Sequence, residues 1–128
     1  MSVTITLRAL PGDYADCKLD HAAAIPDWAD GYGFVSISRT PGELSIVCRQ
    51  ERVPEDANAS RDWRCFEFVG PFAFDETGIA LAVIRPLSEK NIGVFLVATY
   101  DTDFLLIQTK DLDAAKSALR AAGHTLIE

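Results

Sequence analysis

The chain has 128 residues, 48% of them apolar and 24% charged, the balance of a globular protein long enough to bury a core without staples. Twelve basic against nineteen acidic side chains leave a formal charge of −7, which argues against a nucleic-acid backbone or an anionic membrane surface as partner. The sequence shows neither a secretory leader nor an apolar run of membrane-spanning length, and the three widely spaced cysteines, Cys17, Cys48 and Cys65, fit reduced thiols in a cytoplasm better than a disulfide framework or a zinc site.

In chain order, residues 2–10 alternate like a strand and stop at Pro11-Gly12, a turn dipeptide. Residues 14–19 form a second strand. Pro26 and Gly31 confine any helix near Trp28 to a short one. Residues 34–38 and 44–49 read as a hairpin around Thr40-Pro41-Gly42-Glu43. Residues 53–61 are polar and predict a helical turn or two, then a linker.

From Trp63 to Phe74 the even positions carry Phe66, Phe68, Phe72 and Phe74, which predicts a strand with one aromatic, buried face. Ile79, Val83, Ile84 and Leu87 repeat at helical spacing, and Pro86 should bend or shorten that helix. Residues 94–98 and 104–107 are apolar runs of the kind found in central strands. Asp111 and Asp113 suit the start of a last helix with a stripe of Leu112, Ala115, Leu119 and Ala122. Gly123 ends it, and residues 124–127 make a final strand. His21 and His124 are far apart in sequence and are expected in surface or capping roles.

The chain also repeats itself faintly. Phe34-Val-Ser-Ile-Ser-Arg-Thr, a turn and Leu44-Ser-Ile-Val parallel Phe95-Leu-Val-Ala-Thr-Tyr-Asp, a turn and Phe104-Leu-Leu-Ile. Each hairpin is followed by an acidic, alanine-containing segment, the signature of two related units.

Two turns carry the chemistry. Asp75-Glu76-Thr77-Gly78 opens a helix, whose first amides lack internal acceptors and can cradle a carboxylate. Asp75 or Thr77 could equally cap that helix with no ligand involved. Asp101-Thr102-Asp103 places two carboxylates two residues apart, able to take a ligand's ammonium or basic side chain, or it is simply a polar hairpin loop. A divalent metal is poorly served by two carboxylates without a calcium loop. The sequence holds no phosphate-binding glycine loop, no nucleophile with a matched base and no zinc-protease helix. A binding protein fits better than an enzyme, with no cofactor.

Glu76-Thr77-Gly78-Ile79 combined with Ala98-Thr99-Tyr100-Asp101-Thr102-Asp103 resembles the ACT-domain family, in particular its arginine-sensing branch. The likeness runs from about Arg61 to Glu128 and extends through residues 34–40 and 44–48. It implies an α+β protein of two ferredoxin-like βαββαβ units in tandem, a degenerate one over residues 1–60 and an ACT domain over residues 61–128. It further implies a non-enzymatic regulatory protein that holds a free amino acid, possibly a basic one, where ACT units meet, and that works as a homodimer. The positions matching the family's pocket are Glu76, Thr99, Tyr100 and Asp103. Thr77 and Gly78 supply helix amides, with weaker contributions from Ser36, Ile37, Ser38 and Asp101. The alternative is a structural or protein-interaction module whose ACT pocket is empty.

Overall fold

The computed structural model describes residues 3–73 and 75–128. Its strands are β1 (Thr6–Ala9), β2 (Tyr14–Leu19), β3 (Ser36–Arg39), β4 (Leu44–Arg49), β5 (Ala59–Phe68), β6 (Val94–Ala98), β7 (Asp103–Gln108) and β8 (Thr125–Ile127). The α-helices are α1 (Ile79–Glu89) and α2 (Leu112–Ala121). The chain divides into two compact units, Pro11–Trp63 and Met1–Leu10 with Arg64–Glu128.

The Pro11–Trp63 unit orders its strands β3-β4-β2-β5, the ferredoxin-like arrangement of a split βαβ. Each helical position is reduced to one 3-10 turn, Asp27–Ala29 and Gln50–Arg52. Its core is small, gathering Ala15, Cys17, Leu44, Ile46, Cys48 and Val53. With so little helix, the loop carbonyls over this sheet need donors from elsewhere, and arginines supply them. Arg52 Nε donates to Trp28 O at 3.1 Å and its Nη1 to Tyr32 O at 2.8 Å. Arg39 serves His21 O and Ala23 O, and Arg61 serves Pro54 O. Arg52→Ala should therefore destabilise the protein by about 2 kcal/mol in chemical denaturation, and Arg52→Lys should recover little because an ammonium lacks the planar fork.

The second unit follows the order β6-β7-β5-β1-β8. It is the same ferredoxin-like series with β1 wedged between the first and last strands. Leu7 pairs with Phe68 on the antiparallel side and with Leu126 on the parallel side. The N-terminal strand thus groups with the C-terminal unit, apart from the rest of the first sixty residues. Sequence patterning could not show this, since only a non-local pairing decides it. α1 and α2 cover one face of this sheet. Leu7, Phe66, Phe68, Leu87, Leu105 and Leu119 are the heart of the resulting core, each at most 2% exposed.

Other expectations shift. β5 begins at Ala59, inside the stretch read as linker, and ends at Phe68. Phe66 and Phe68 keep the expected buried face and Phe72 packs on the core's margin, whereas Met1, Ser2 and Phe74 lie outside the described residues. Among the described residues β6 pairs only with β7, so it is an edge strand and not a central one. The hairpins β3–β4 and β6–β7 hold equivalent places in their units, as the repeat implies.

α1 continues through Pro86 to Glu89. Both helices end in a left-handed residue with the paired bonds of a Schellman motif. In α1, Asn91 N donates to Ser88 O and Ile92 N to Leu87 O; in α2, Gly123 N donates to Arg120 O and His124 N to Leu119 O. His124 is buried, at 4% exposure, and not on the surface. Its imidazole lies between Ile5 N, 3.2 Å from Nδ1, and Ala82 O, 2.8 Å from Nε2.

Candidate functional site

Both acidic turns open onto one cleft of about 340 Å³ in the C-terminal unit. One wall is the N-terminus of α1, where Gly78, Ile79, Ala80 and Leu81 face the opening. The other is the β6–β7 hairpin, through Ala98, Thr99, Asp101, Thr102 and Asp103. Phe72, Ala73 and Glu76 from the segment between β5 and α1 complete it.

Hydrogen bonds fix the hairpin tip. Thr99 donates twice to Thr102 O, from its amide and its hydroxyl, each at 2.8 Å. Thr102 Oγ1 donates to Phe68 O at 2.6 Å, and Phe72 N donates to Asp101 O at 2.9 Å. The tip, β5 and the segment leading to α1 are thus tied together. Glu76 is partly committed as well, since its Oε1 accepts the Ala73 amide at 2.9 Å.

The helix start lacks a side-chain cap. Gly78 occupies the N-cap position at φ 82° with no side-chain hydrogen bond there, so neither Asp75 nor Thr77 caps α1 in the way that was one reading of the sequence. The first turn keeps its partial positive charge turned towards the cleft.

Opposite stands Asp103, the first residue of β7. Its carboxyl is held above the usual carboxylate range because burial penalises the charged form. Among the described residues no cation pairs with it. The lining carries three carboxylates, from Glu76, Asp101 and Asp103, and no Lys, Arg or His. It therefore presents backbone donors on one wall and carboxylates on the other, complementary to a molecule bearing both an anionic and a cationic group. Among the described residues no three His, Cys, Asp or Glu side chains gather as a metal site requires.

Of the residues singled out from the sequence, Glu76, Gly78, Thr99, Asp101 and Asp103 come together here. Thr77 and Tyr100 do not line the cleft, and Tyr100 is 79% exposed at the hairpin tip. Ser36, Ile37 and Ser38 lie in β3 of the other unit. Sequence reasoning missed Phe72, Thr102 and the apolar first turn of α1. Phe72 had a signal, but one assigned to a sheet face.

A ferredoxin-like unit with a cleft between a bare helix N-terminus and the neighbouring hairpin is an ACT-type domain. The ACT-domain family model matches residues 58–121, and a model for an N-terminal domain matches residues 12–56. The chain belongs to the ACT-domain family.

Human protein CASTOR3P is 34% identical over 92 residues, which cover 62% of this chain and 56% of that protein. The bovine cytosolic arginine sensor for mTORC1 subunit 1 is 30% identical over 90 residues, 62% of this chain and 27% of the sensor. The matches thus span about half and about a quarter of those relatives' lengths. A crystal structure from Agobacterium tumefaciens superposes with TM-score 0.94 at 52% identity, covering 98% of this chain and 94% of that one. Clostridium acetobutylicum aspartate kinase shares the fold, with TM-score 0.67 at 12% identity, over 95% of this chain and 35% of the kinase.

Gly78 gives a local test. A Cβ there would meet nothing nearer than Val3 Cγ2 at 3.9 Å, so Gly78→Ala should cost only the left-handed backbone penalty of about 1–2 kcal/mol. Denaturation should show that loss, whereas Gly93→Ala, with open space and an ordinary backbone angle, should leave stability within about 0.5 kcal/mol.

Proposed function

We propose that the protein is a non-enzymatic, cytoplasmic regulatory protein that binds a free amino acid in this cleft. The observation that carries the reading is the uncapped α1 N-terminus across a small space from the Asp103 carboxyl, which no cation among the described residues pairs with. Amides of the first turn, beside Thr77 and Gly78, take the ligand's carboxylate. Asp103 takes its ammonium or a basic side chain, aided by Glu76 and by Asp101 at the rim. At about 340 Å³ the cleft sits near the lower end of small-molecule sites, roughly 300–1,000 Å³. Family membership and the likeness to an arginine sensor support an amino acid, with basic ones favoured by the acidic lining.

The cleft is open on one side. We infer that a homodimer closes it, through contributions from Tyr100 at its mouth and from a second copy's Ser36, Ile37 and Ser38. Two-fold pairing would yield two equivalent sites. The Pro11–Trp63 unit is then a degenerate ACT unit whose role is to supply that edge. Ligand acts by stabilising the arrangement to which it binds more tightly. No helix among the described residues is long and apolar enough to cross a membrane.

A thermal-shift panel of the twenty amino acids tests this, since a ligand of the native state raises the melting temperature by mass action. Arginine or lysine should give the largest rise, and no response to any of them would end the binding interpretation in favour of an interaction module with an empty pocket. Asp103→Ala should weaken the responding ligand by roughly 1.5–3 kcal/mol in calorimetry.

The pH dependence follows from the direction of the Asp103 shift. Its folded-state pKa is raised, so the unliganded fold loses stability from this group as pH rises through its titration range. A bound cation favours the carboxylate and drives the proton off. Affinity for a basic amino acid should therefore climb with pH through that acidic range and level off above it. Calorimetry in buffers of different ionisation enthalpy should register the released proton, and none should be released by Asp103→Asn.

A further inference from the structure

Pro86 lies inside α1. It has no N–H to offer the Ala82 carbonyl one turn earlier, and its ring pushes that carbonyl outward. The orphaned oxygen is met by His124 Nε2 at 2.8 Å. The ring's other nitrogen, Nδ1, faces the Ile5 amide at 3.2 Å. Only one form of imidazole satisfies both contacts. Nε2 must carry the proton to donate to a carbonyl, and Nδ1 must be bare to accept an N–H. The alternative neutral tautomer would set donor against donor and acceptor against acceptor, and a doubly protonated ring would lose Ile5. The imidazole is also anchored from behind, because His124 N donates to Leu119 O at 3.1 Å.

We propose that His124 is a positioning residue, standing in for the backbone donor that Pro86 removes and so fixing the first turn of α1 relative to β1. Ala82 directly follows the cleft-lining residues Ile79, Ala80 and Leu81, and its own amide closes the first helical bond, to Gly78 O at 3.0 Å. Ile5 leads directly into β1 and accepts Thr125 N through its carbonyl at 3.0 Å. The side chain of residue 124 therefore ties its own segment to two others, each through a backbone group. The attachment of the N-terminal strand and the direction of the helix amides are then one coupled arrangement. Only its consequence for a ligand rests on the binding proposal above.

The test is a double-mutant cycle of His124→Ala and Pro86→Ala, read by chemical denaturation and by the amide resonances of residues 79–82 without ligand. In the natural background His124→Ala should lower the folding equilibrium constant by about tenfold or more. With Pro86→Ala present, an N–H returns to the Ala82 carbonyl. The same substitution should then cost at least about threefold less, and the resonances should move back towards the natural ones. Hydrogen exchange at Ile5 should quicken in both backgrounds, since nothing replaces Nδ1. Equal costs in the two backgrounds would overturn the proposal. If His124→Ala fails to fold, the natural protein decides the matter alone, because a neutral ring with its proton on Nδ1 in histidine nitrogen spectra is incompatible with this geometry. An amino-acid panel without a response would remove the binding proposal and leave the outcome of the cycle intact.

Discussion

The wedging of β1 between β5 and β8 is the constraint on which the C-terminal unit depends. A four-strand ferredoxin-like sheet would pair its first and last strands directly, but here Leu7 fills that place and is fully buried among Phe68, Leu119 and their neighbours. The strand satisfies one ladder in each direction, antiparallel to β5 and parallel to β8. Among the described residues β8 pairs with β1 alone, so the strand that follows His124 rests on the same pairing. The parallel contacts with β8, Leu7 with Leu126 among them, join the two ends of the chain, so their loop-closure cost must be met before they can form.

The cleft illustrates how two individually ordinary features become chemistry when they face each other. A helix N-terminus is usually capped, and α1 is not, because Gly78 in the left-handed region has no side chain to turn back. A surface carboxylate is usually solvated, and Asp103 is partly withdrawn from water. Each leaves an electrostatic demand unmet by the protein. Opposite signs on opposite walls would suit a zwitterion, whereas either wall alone would suit many solutes.

Local pattern made much of this legible. The alternation in residues 14–19 and 44–49 and the helical spacing from Ile79 to Leu87 correspond to β2, β4 and α1. Both turns that frame the cleft stand out by composition, since Asp, Thr and Gly cluster there between apolar runs. What escaped was decided at a distance. A proline late in a helix reads as a break unless another residue satisfies the stranded carbonyl, and that residue is 42 positions away. The strand at Ala59 was hidden by polar residues because β5 is half-exposed at that end. Tyr100 rests on motif similarity, which carries residue identity but does not say that its ring stands exposed at the hairpin tip, outside the cleft lining. Nothing in the alternation of residues 2–10 says which strands Thr6–Ala9 pairs with.

The edge made by β6 bears on how the protein behaves in solution. Val94, Phe95, Leu96, Val97 and Ala98 are uncharged and contain no proline, and one flank of their ladder is open among the described residues. Natural sheets blunt such borders with lysine, proline or a bulge, because an uncovered one templates growth by successive chains. This border has none of those gatekeepers. Its remaining defence is brevity, since five residues give an incoming chain little ladder to extend, and any insertion that lengthened this strand would turn it into a template.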